Sequence, residues 1–379
     1  MSRTQDLDDT TRAVIERPEM VLLLQGGHGV SASETRERVH AYLDELRTTQ
    51  RYPIYRALQH PLYPILRKIK RLHEHVELAK EATRDGRVIY VSNHKSHADY
   101  LVEPLVLDDN GIRPPLIAAG INLFGGPLGL LHRHITGAIP IRRNTKDPVY
   151  LNTLKAYVAE MLRHHDLLFY LEGGRSYSGE LKSPKTGLLH AAMGAGLPGV
   201  AIVPMAVAYD IVLEDRALAS QGVKKRQRAF AREMAEMVGL AAGYHSRAFV
   251  TFGEPILLDG YHHESRREVL DLAHHMRNVI GRLHKVLPTA LVASAMRQSL
   301  GRRDLELRVE EMVGWLKESG ANLAVRDGRQ AVDEGVPMLN RRGVIHVERG
   351  RIRVRDRAVL RYYARSIQHL LPPATTNRT

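Results

Sequence analysis

Short apolar runs alternate with helix-like stretches across the middle of the chain. The apolar runs that predict buried strands are residues 88–91, 116–119, 138–141, 167–171, 202–208 and 249–252. Residues 149–165, between two of these runs, have the pattern of a helix. Strands that alternate with helices are typical of an α/β domain, so we expect a mostly parallel central sheet flanked by helices.

The first 85 residues are polar and mostly helical in pattern. Within them, residues 63–72 space their apolar positions three and four apart, with basic residues between them, which predicts a helix. Such a helix either covers an apolar core or rests on an anionic membrane.

After residue 258 the strand candidates stop and helical patterns run over 263–297 and 304–319. A hairpin is indicated at 344–354, with Gly350 at its turn, and a final helix ends near Leu371. The sequence therefore predicts a mainly helical C-terminal region with a small hairpin. The three predicted parts are an N-terminal helical region (1–85), an α/β domain (86–258) and this C-terminal region (259–379).

The composition indicates a globular protein with a strongly basic surface. The 379 residues are 44% hydrophobic, and the formal net charge is +13 at pH 7. A chain of this length can bury a large core. A basic surface attracts anionic partners, which include nucleic acid, anionic lipid headgroups, phosphorylated substrates and acidic carrier proteins.

The sequence contains no cysteine, which excludes disulfides, thiolate metal sites and a cysteine nucleophile. No apolar run approaches the roughly 18 to 20 residues that a helix needs to cross a bilayer. Together with the basic charge, this predicts a cytoplasmic protein that binds peripherally to the anionic inner face of the cell membrane.

The stretch NHKSHADY (residues 93–100) places two imidazoles, a lysine and a carboxylate directly after a strand candidate. Ser96 and Asp99 have the spacing of a capping box, in which an acid closes the first turn of a helix. His94, His97 and Asp99 are metal-ligand types, although the clustered spacing of metal hydrolases is absent. His94 and Asp99 also have the spacing of a dyad in which a carboxylate orients a general base. The spacing alone leaves these interpretations open.

Three basic loops follow successive strand candidates. They are GAIPIRR (137–143), LEGGRS (171–176) and LKSPKTG (181–187). Arginine side chains and closely approaching backbone amides are what a phosphate group requires. One such loop is typical of a solvated surface, but three in succession indicate a phosphate site.

Four blocks of the sequence resemble, in the same order, those of the glycerolipid acyltransferases. They are NHKSHADY, GAIPIRR, LEGGRSYSG (171–179) and VPM (203–205). The similarity is greatest to the branch that acylates glycerol 3-phosphate or dihydroxyacetone phosphate, and it runs from roughly residue 60 to 371. The stretches similar to this branch are AAGINL (118–123), PKTG (184–187), FGEP (252–255), LPTALVA (287–293) and LRYYARSI (360–367).

The resemblance implies a role for each matching residue. His94 is expected to be the general base and Asp99 its orienting partner, and Pro204 is expected to shape the acyl-donor side of the pocket. The residues expected to bind glycerol 3-phosphate are Arg142 or Arg143, Glu172, Gly173, Gly174, Arg175 and Ser176, with Lys182 or Lys185 at the phosphate. No metal or redox cofactor is implied.

The resemblance thus implies an enzyme that transfers a fatty acyl group from a thioester to the 1-hydroxyl of glycerol 3-phosphate, the first step of phospholipid synthesis. Coenzyme A or acyl carrier protein is the expected acyl carrier. A direct transfer agrees with the missing cysteine and with GRSYS (174–178), which fails the G-x-S-x-G pattern of a serine nucleophile.

Two other functions remain open. One is a related acyltransferase that acts on dihydroxyacetone phosphate or a lysophospholipid. The other is a nucleic-acid-binding protein, because the C-terminal helices, the hairpin and the basic turn at 348–351 could fold as a winged helix. We expect no nucleic-acid partner, since a binding module does not need a dyad and three phosphate loops.

Overall fold

An eight-stranded sheet lies at the centre of the molecule. The computed structural model describes residues 3–25, 31–51, 53–54, 69–121, 137–224 and 246–372 of the chain. The strands are β1 (Ile69–Glu74), β2 (Val88–Ser92), β3 (Leu116–Gly120), β4 (Ala138–Ile141), β5 (Leu167–Tyr170), β6 (Ala201–Tyr209), β7 (Ser246–Phe252) and β8 (Ile256–Leu257). Their order is β1-β7-β6-β2-β5-β3-β4, and β8 pairs with the start of β6. Only β7 and β8 run antiparallel to their neighbour β6, so the prediction of a mostly parallel sheet is confirmed.

Helices cover both faces of this sheet, as predicted. They are α1 (Arg3–Ile15), α2 (Pro18–Leu24), α3 (Ala32–Leu46), α4 (Val76–Asp85), α5 (Asp99–Asp109), α6 (Pro148–His164), α7 (Gly187–Met193), α8 (Asp215–Lys224), α9 (Arg266–Leu283), α10 (Pro288–Ala295), α11 (Arg302–Glu318), α12 (Gly328–Arg341) and α13 (Arg357–Arg365). Buried side chains of α1–α3, α6, α7 and α9 share one hydrophobic core with the sheet. Those of α4, α5, α8 and α10–α13 share the core on the opposite face. Within the described ranges, no helix is long and apolar enough to cross a bilayer.

Strand β2 explains why the middle of the sheet was predictable from the sequence. Val88 and Tyr90 point into one core, whereas Ile89 and Val91 point into the other. Because both faces of a parallel sheet are covered, its central strands are apolar at every position rather than at alternate positions. The run at 88–91 therefore predicted a buried strand correctly.

The C-terminal region contains the predicted hairpin and one strand that was not predicted. Strands β10 (Ile345–Glu348) and β11 (Arg351–Val354) pair with β9 (Ser299–Gly301) in an antiparallel sheet of order β10-β11-β9. The succession α10, β9, α11, α12, β10, β11 is that of a winged helix. The final helix α13 is followed by a short 3-10 turn, Gln368–Leu370.

The prediction of a helix at 63–72 is wrong for residues 69–72, which form a strand. Residues 63–68 lie outside the described residues, and Ile69–Glu74 forms β1, which pairs in parallel with β7 at the edge of the sheet. An edge strand is partly exposed and tolerates basic residues, so its apolar spacing resembled that of a helix. The central sheet therefore begins within the N-terminal 85 residues, and the three-part division of the chain stays a prediction.

Two helical predictions in the C-terminal region need correction. The stretch 263–297 forms two helices, because Pro288 begins α10 and the residue before a proline is forced out of helical geometry. Leu287 accordingly has φ −97° and ψ 156°. Helix α12 was not predicted, since Gly335 and Pro337 lie inside it and both disfavour helix formation in isolation.

A buried ion pair attaches the C-terminal region to the segment that follows β6. Arg342, just after α12, donates through Nε and Nη2 to the carboxylate of Asp215, the first residue of α8. The Tyr363 hydroxyl donates to the same carboxylate at 2.7 Å. The Asp215 side chain is 0% exposed and that of Arg342 is 6% exposed, so each charge depends on the other for compensation.

Replacement of Arg342 by alanine is expected to lower the free energy of unfolding by about 3–5 kcal/mol, because the Asp215 carboxylate then stays buried without its cation. Urea unfolding followed by circular dichroism measures this change. Arg329→Ala is the control, since its exposed guanidinium lies 3.9 Å from Asp333 and its loss is expected to cost less than about 0.5 kcal/mol. Equal losses for the two variants would contradict the role given to the Arg342–Asp215 pair.

Candidate active site

The predicted site residues gather where parallel strands end. Strands β2 and β5 are neighbours, and their carboxyl ends lead into residues 93–98 and 171–186. Strand β4, two positions farther along the sheet, leads into Arg142 and Arg143. The carboxyl edge is where ligands bind to open α/β sheets, so the fold brings the three predicted loops to the expected place.

Residues 93–98 form an irregular loop that is buried throughout. A buried irregular segment must find acceptors for its backbone N–H groups, because no ladder or helix supplies them. The Asp99 Oδ2 atom accepts the N–H groups of Lys95 at 2.7 Å and Ser96 at 2.9 Å. Glu172 accepts the N–H of His94 at 3.2 Å, and Glu214 accepts that of His97 at 2.6 Å. Three carboxylates therefore hold this loop.

The same Asp99 carboxylate contacts the His94 ring. His94 Nδ1 lies 2.9 Å from Asp99 Oδ2, and the Tyr209 hydroxyl donates to Asp99 Oδ1 at 2.7 Å. The Tyr170 ring stacks on the imidazole at a centroid distance of 4.0 Å and an angle of 10°. The ring is thus fixed at its edge and on one face, and Nε2 remains as the nitrogen that can take a proton.

The structure contains the main contact of the capping box and also the contact between His94 and Asp99 that the dyad interpretation requires. Helix α5 begins at Asp99 itself, and its carboxylate accepts the Ser96 N–H as the acid of a capping box would. The Ser96 hydroxyl, however, accepts the N–H of Ala98 rather than that of Asp99. One carboxylate therefore both shapes the loop and orients the imidazole.

The electrostatics of the pair suit a general base. Burial lowers the pKa of His94 well below its usual value, and the positive charges of Arg175, Arg143 and Lys182 act in the same direction. Burial raises the pKa of Asp99 to about 6, although four hydrogen-bond donors favour its ionised form. Above about pH 6 the pair is thus a neutral imidazole beside a carboxylate, which is the form that can accept a proton.

A cavity of about 600 Å³ opens beside His94. Its basic and acidic lining includes Arg142, Arg143, Glu172, Lys182 and Lys185. Its apolar lining includes Ile117, Ile141, Leu151, Leu154, Phe169 and Leu188. The cavity therefore combines a cationic wall with a hydrophobic wall next to the candidate base.

Three predicted cations converge on the glycine pair of the LEGGRS loop. A Cβ atom added to Gly174 would lie 3.5 Å from Arg143 Nη1 and 4.0 Å from Lys182 Nζ. Lys185 packs against Gly173, whose φ of +65° few other residues adopt. Burial lowers the pKa of both Arg143 and Lys182, and the positive charge of Arg143 lowers the pKa of Lys182 further.

Several predicted substrate ligands have protein partners in the structure. Arg142 donates to Glu45 through Nε at 2.7 Å, and its guanidinium lies over the Tyr42 ring at 4.9 Å. Glu172 accepts two backbone N–H groups, from His94 and Lys182. Of the two adjacent arginines, Arg143 is therefore the one near the other cations.

Ser176 and Arg175 face the protein rather than the cavity lining. The Ser176 N–H donates to the His94 carbonyl at 3.0 Å, and its hydroxyl donates to the Glu180 carbonyl at 2.6 Å. The Arg175 guanidinium lies 3.6 Å from Glu214 Oε1, with 9% of its side chain exposed. These residues hold the two loops together, and direct contact of either with a substrate stays a prediction.

Pro204 is not among the described residues that line the cavity. It lies inside β6, between Ile202, which pairs with β8, and Met205, which pairs with β7. A proline has no N–H for a ladder, so it fits at this interruption between two partner strands. Its carbonyl accepts the N–H of Gly253 at 2.8 Å. A role in shaping the acyl-donor side thus has no direct support from the position of the side chain.

Sequence reasoning missed three residues that contact the dyad or its loop, namely Tyr170, Tyr209 and Glu214. Tyr170 and Tyr209 end the predicted strands β5 and β6, and a polar group at a strand end beside the site was the available signal. Glu214 lies in a turn 118 positions from Ser96, and nothing local marks it. In the described part of the chain, no group of three His, Asp or Glu side chains could hold a metal ion.

Comparisons with known proteins identify the family to which the chain is similar. The acyltransferase family model matches residues 73–208, and the model of the glycerol-3-phosphate acyltransferase C-terminal region matches residues 243–375. A glycerol-3-phosphate acyltransferase of Aeromonas hydrophila is 29% identical over 90% of this chain and 47% of its own length. That of Pasteurella multocida is 30% identical over 78% of this chain and 41% of its own length. The chain thus spans less than half the length of these relatives.

Among solved structures, the 1-acyl-sn-glycerophosphate (LPA) acyltransferase of Thermotoga maritima matches 73% of this chain and 94% of its own. The sequence identity is 16% and the TM-score is 0.34. The two family models, in contrast, match consecutive parts that together make up most of the sequence. The chain therefore belongs to the glycerol-3-phosphate acyltransferase family of the glycerolipid acyltransferases.

Proposed function

We propose that the chain transfers a fatty acyl group from an acyl thioester to the 1-hydroxyl of glycerol 3-phosphate. The observation that supports this most directly is the cavity beside His94, which joins a candidate base to a cationic wall and a hydrophobic wall. A phosphorylated alcohol and an acyl chain are the two substrates that such a lining fits. The names of the similar proteins support the same substrate.

In the proposed reaction, His94 Nε2 removes the proton from the 1-hydroxyl while Asp99 stabilises the imidazolium at Nδ1. The freed oxygen attacks the thioester carbonyl, the carbon–sulfur bond breaks, and the thiolate takes the proton back from His94. The ester forms without a covalent enzyme intermediate and without a metal or redox cofactor. Coenzyme A and acyl carrier protein are both suitable carriers for the thioester.

The phosphate of the acceptor is proposed to lie against Arg143, Lys182 and Lys185. Arg143 and Lys182 approach the Gly174 backbone. Burial disfavours the charged forms of both side chains, so a bound phosphate would compensate the free-energy cost of burying these charges. The fatty acyl chain is proposed to occupy the apolar lining. Dihydroxyacetone phosphate carries the same phosphate and a hydroxyl, so it remains the nearest alternative acceptor, followed by a lysophospholipid.

An anionic membrane surface is the proposed location of the enzyme, on the inner face of the cell membrane. Arg351 and Arg353 project from the outer face of β11, the central strand of the small sheet, and both are exposed. Arg349, in the turn before that strand, and Arg355, just after it, are also exposed. We therefore propose that these arginines, rather than residues 63–72, make the electrostatic contact with the anionic membrane.

The winged-helix order of the C-terminal elements raises nucleic acid as a rival partner for this face. Helix α12, which occupies the position of a recognition helix, carries Asp333 and Glu334. Asp333 pairs with Arg302, and Glu334 pairs with Arg247 at 3.0 Å. Carboxylates on that helix are unfavourable beside phosphates, so we favour the lipid surface.

His94→Ala is expected to lower kcat by about 10² to 10⁴ while the KM for glycerol 3-phosphate stays nearly constant, because the variant lacks only the general base. His97→Ala is expected to be milder, since the substitution keeps the backbone N–H that donates to Glu214. Steady-state assays with purified protein measure both effects. An inactive His97→Ala variant together with an active His94→Ala variant would mean that His94 is not the general base.

Arg143→Ala is expected to raise the KM for glycerol 3-phosphate by about 10- to 150-fold, the equivalent of a lost charge-assisted hydrogen bond of roughly 1.5–3 kcal/mol. The KM for the acyl thioester is expected to change much less. Arg142→Ala is the matched control, because its guanidinium is bound to Glu45, and it is expected to lower the melting temperature instead.

Arg175→Ala belongs in the same series. The resemblance predicts a selective rise in the KM for glycerol 3-phosphate, whereas a purely structural pairing with Glu214 predicts loss of stability with both substrates affected. If Arg143→Ala left the KM for glycerol 3-phosphate unchanged, the proposed phosphate site would be wrong.

A double variant, Arg351→Glu with Arg353→Glu, is expected to bind phosphatidylglycerol vesicles at least about 30-fold more weakly, since each basic residue at an anionic surface contributes about 1 kcal/mol. Vesicle sedimentation at increasing salt measures this change, and phosphatidylcholine vesicles give the neutral baseline. The control is Arg36→Glu with Arg267→Glu, which alters the net charge equally on helices α3 and α9. Equal weakening by both pairs, or a preference for duplex DNA over vesicles, would contradict a lipid-binding face.

A further inference from the structure

Glu214 is a buried carboxylate that the proposed reaction does not use. It lies in the turn between β6 and α8, and only 2% of its side chain is exposed. Its Oε1 atom accepts the N–H of His97 at 2.6 Å, and its Oε2 atom accepts the hydroxyl of Ser96 at 2.9 Å. Both contacts are to the loop that places His94 beside Asp99.

The loop is therefore held between two carboxylates. Asp99 takes the N–H groups of Lys95 and Ser96, and Glu214 takes the next N–H along the chain together with the Ser96 hydroxyl. The Ser96 hydroxyl in turn accepts the N–H of Ala98 at 3.0 Å. Without Glu214, the buried N–H of His97 and the Ser96 hydroxyl would need new partners, and the loop would have to shift to find them.

The position of Glu214 is determined by the C-terminal region. The next residue, Asp215, is bound by Arg342, and Arg342 also donates to the carbonyl of Leu213 at 3.2 Å. The Tyr363 hydroxyl contacts Asp215 as well. The turn that presents Glu214 is thus fixed on both sides by residues from beyond position 340.

We propose that Glu214 is a positioning residue, which holds the loop 93–98 so that His94 and Asp99 keep their catalytic geometry, and that it transmits the support of the C-terminal region to the dyad. This inference rests on the proposed function for its kinetic readout. It assigns Glu214 no contact with substrate.

The test compares Glu214→Ala with Glu214→Gln. Alanine removes both acceptors, and kcat is expected to fall by about 100-fold while the KM for glycerol 3-phosphate changes less than about threefold, within the range that misplaced catalytic groups lose. Glutamine keeps an oxygen for the His97 N–H and an amide that can donate to the Ser96 hydroxyl. It is therefore expected to restore kcat to within about tenfold of the unaltered enzyme.

Asp166→Ala is the matched control. Asp166 Oδ1 accepts the backbone N–H of Val88 at 3.0 Å, at the opposite end of the strand that leads into the loop. Its removal is expected to lower the melting temperature while kcat changes less than about twofold. If Glu214→Ala proves too unstable to assay, Ser96→Ala removes one of the two Glu214 contacts and is expected to lower kcat in the same direction.

Three results would overturn the proposal. A Glu214→Ala enzyme with unchanged kcat would reduce Glu214 to a packing role. A rise in the KM for glycerol 3-phosphate alone would mean that Glu214 acts through Arg175, which lies 3.6 Å from it. Equal impairment of the alanine and glutamine variants would mean that its charge matters rather than its hydrogen bonds.

A readout that does not depend on activity separates this inference from the proposed function. The Nδ1 proton of His94 gives a downfield proton resonance when Asp99 binds it, and His94→Ala assigns that resonance by its loss. The resonance is expected to disappear in Glu214→Ala and to persist in Asp166→Ala. If the protein did not acylate glycerol 3-phosphate but the resonance behaved in this way, the function would be wrong and the positioning role would stand. A persistent resonance in Glu214→Ala would contradict the positioning role itself.

Discussion

The site depends on one constraint, which is that six buried residues without regular structure need partners for their backbone groups. The Asn93 side-chain amide attaches the start of this loop to β6, because it bonds to both backbone groups of Val207 at 3.0 and 2.7 Å. The amides that follow are accepted by carboxylates from the β5 loop, from α5 and from the turn after β6. The loop can keep one conformation only when all three of these elements are in place.

The geometry of the His94–Asp99 pair follows from the same bonds. The Asp99 oxygen that accepts two loop amides is also the oxygen that faces His94 Nδ1, so the structural and chemical tasks of this carboxylate cannot be separated. Burial lowers the pKa of His94, which favours the neutral imidazole, whereas it raises the pKa of Asp99 only to about 6, so that the carboxyl group is still mostly ionised at pH 7. An imidazole in a more open loop would be better solvated and less firmly oriented.

Local sequence signals predicted those parts of the fold that burial determines. Strand β2 is apolar at every position because both its faces are covered, so it was visible in the sequence. Strand β1 lies at the sheet edge and carries basic residues, and its pattern was mistaken for that of a helix. Whether Arg142 or Arg143 faces the other cations depends on Glu45, which lies on a distant helix. The contacts of Glu214 with Ser96 and His97 could not be predicted from the sequence either, because they join residues that are more than 100 positions apart.

The C-terminal region packs against the loops that carry the site, although none of its described residues lines the cavity. Gly179, in the loop after β5, has a φ of +87°, and a Cβ atom there would lie 2.0 Å from the carbonyl oxygen of Tyr362. That loop therefore passes against α13 at a distance only glycine permits, and its Gly179 carbonyl accepts the buried Lys95 ammonium at 2.7 Å. Lys95 follows His94 directly, so α13 supports the catalytic loop from one side while Arg342 supports it through Asp215 from another. The part of the chain matched by the glycerol-3-phosphate acyltransferase C-terminal region model thus supports the loop that carries His94, directly through Tyr362 and indirectly through the Arg342–Asp215 pair.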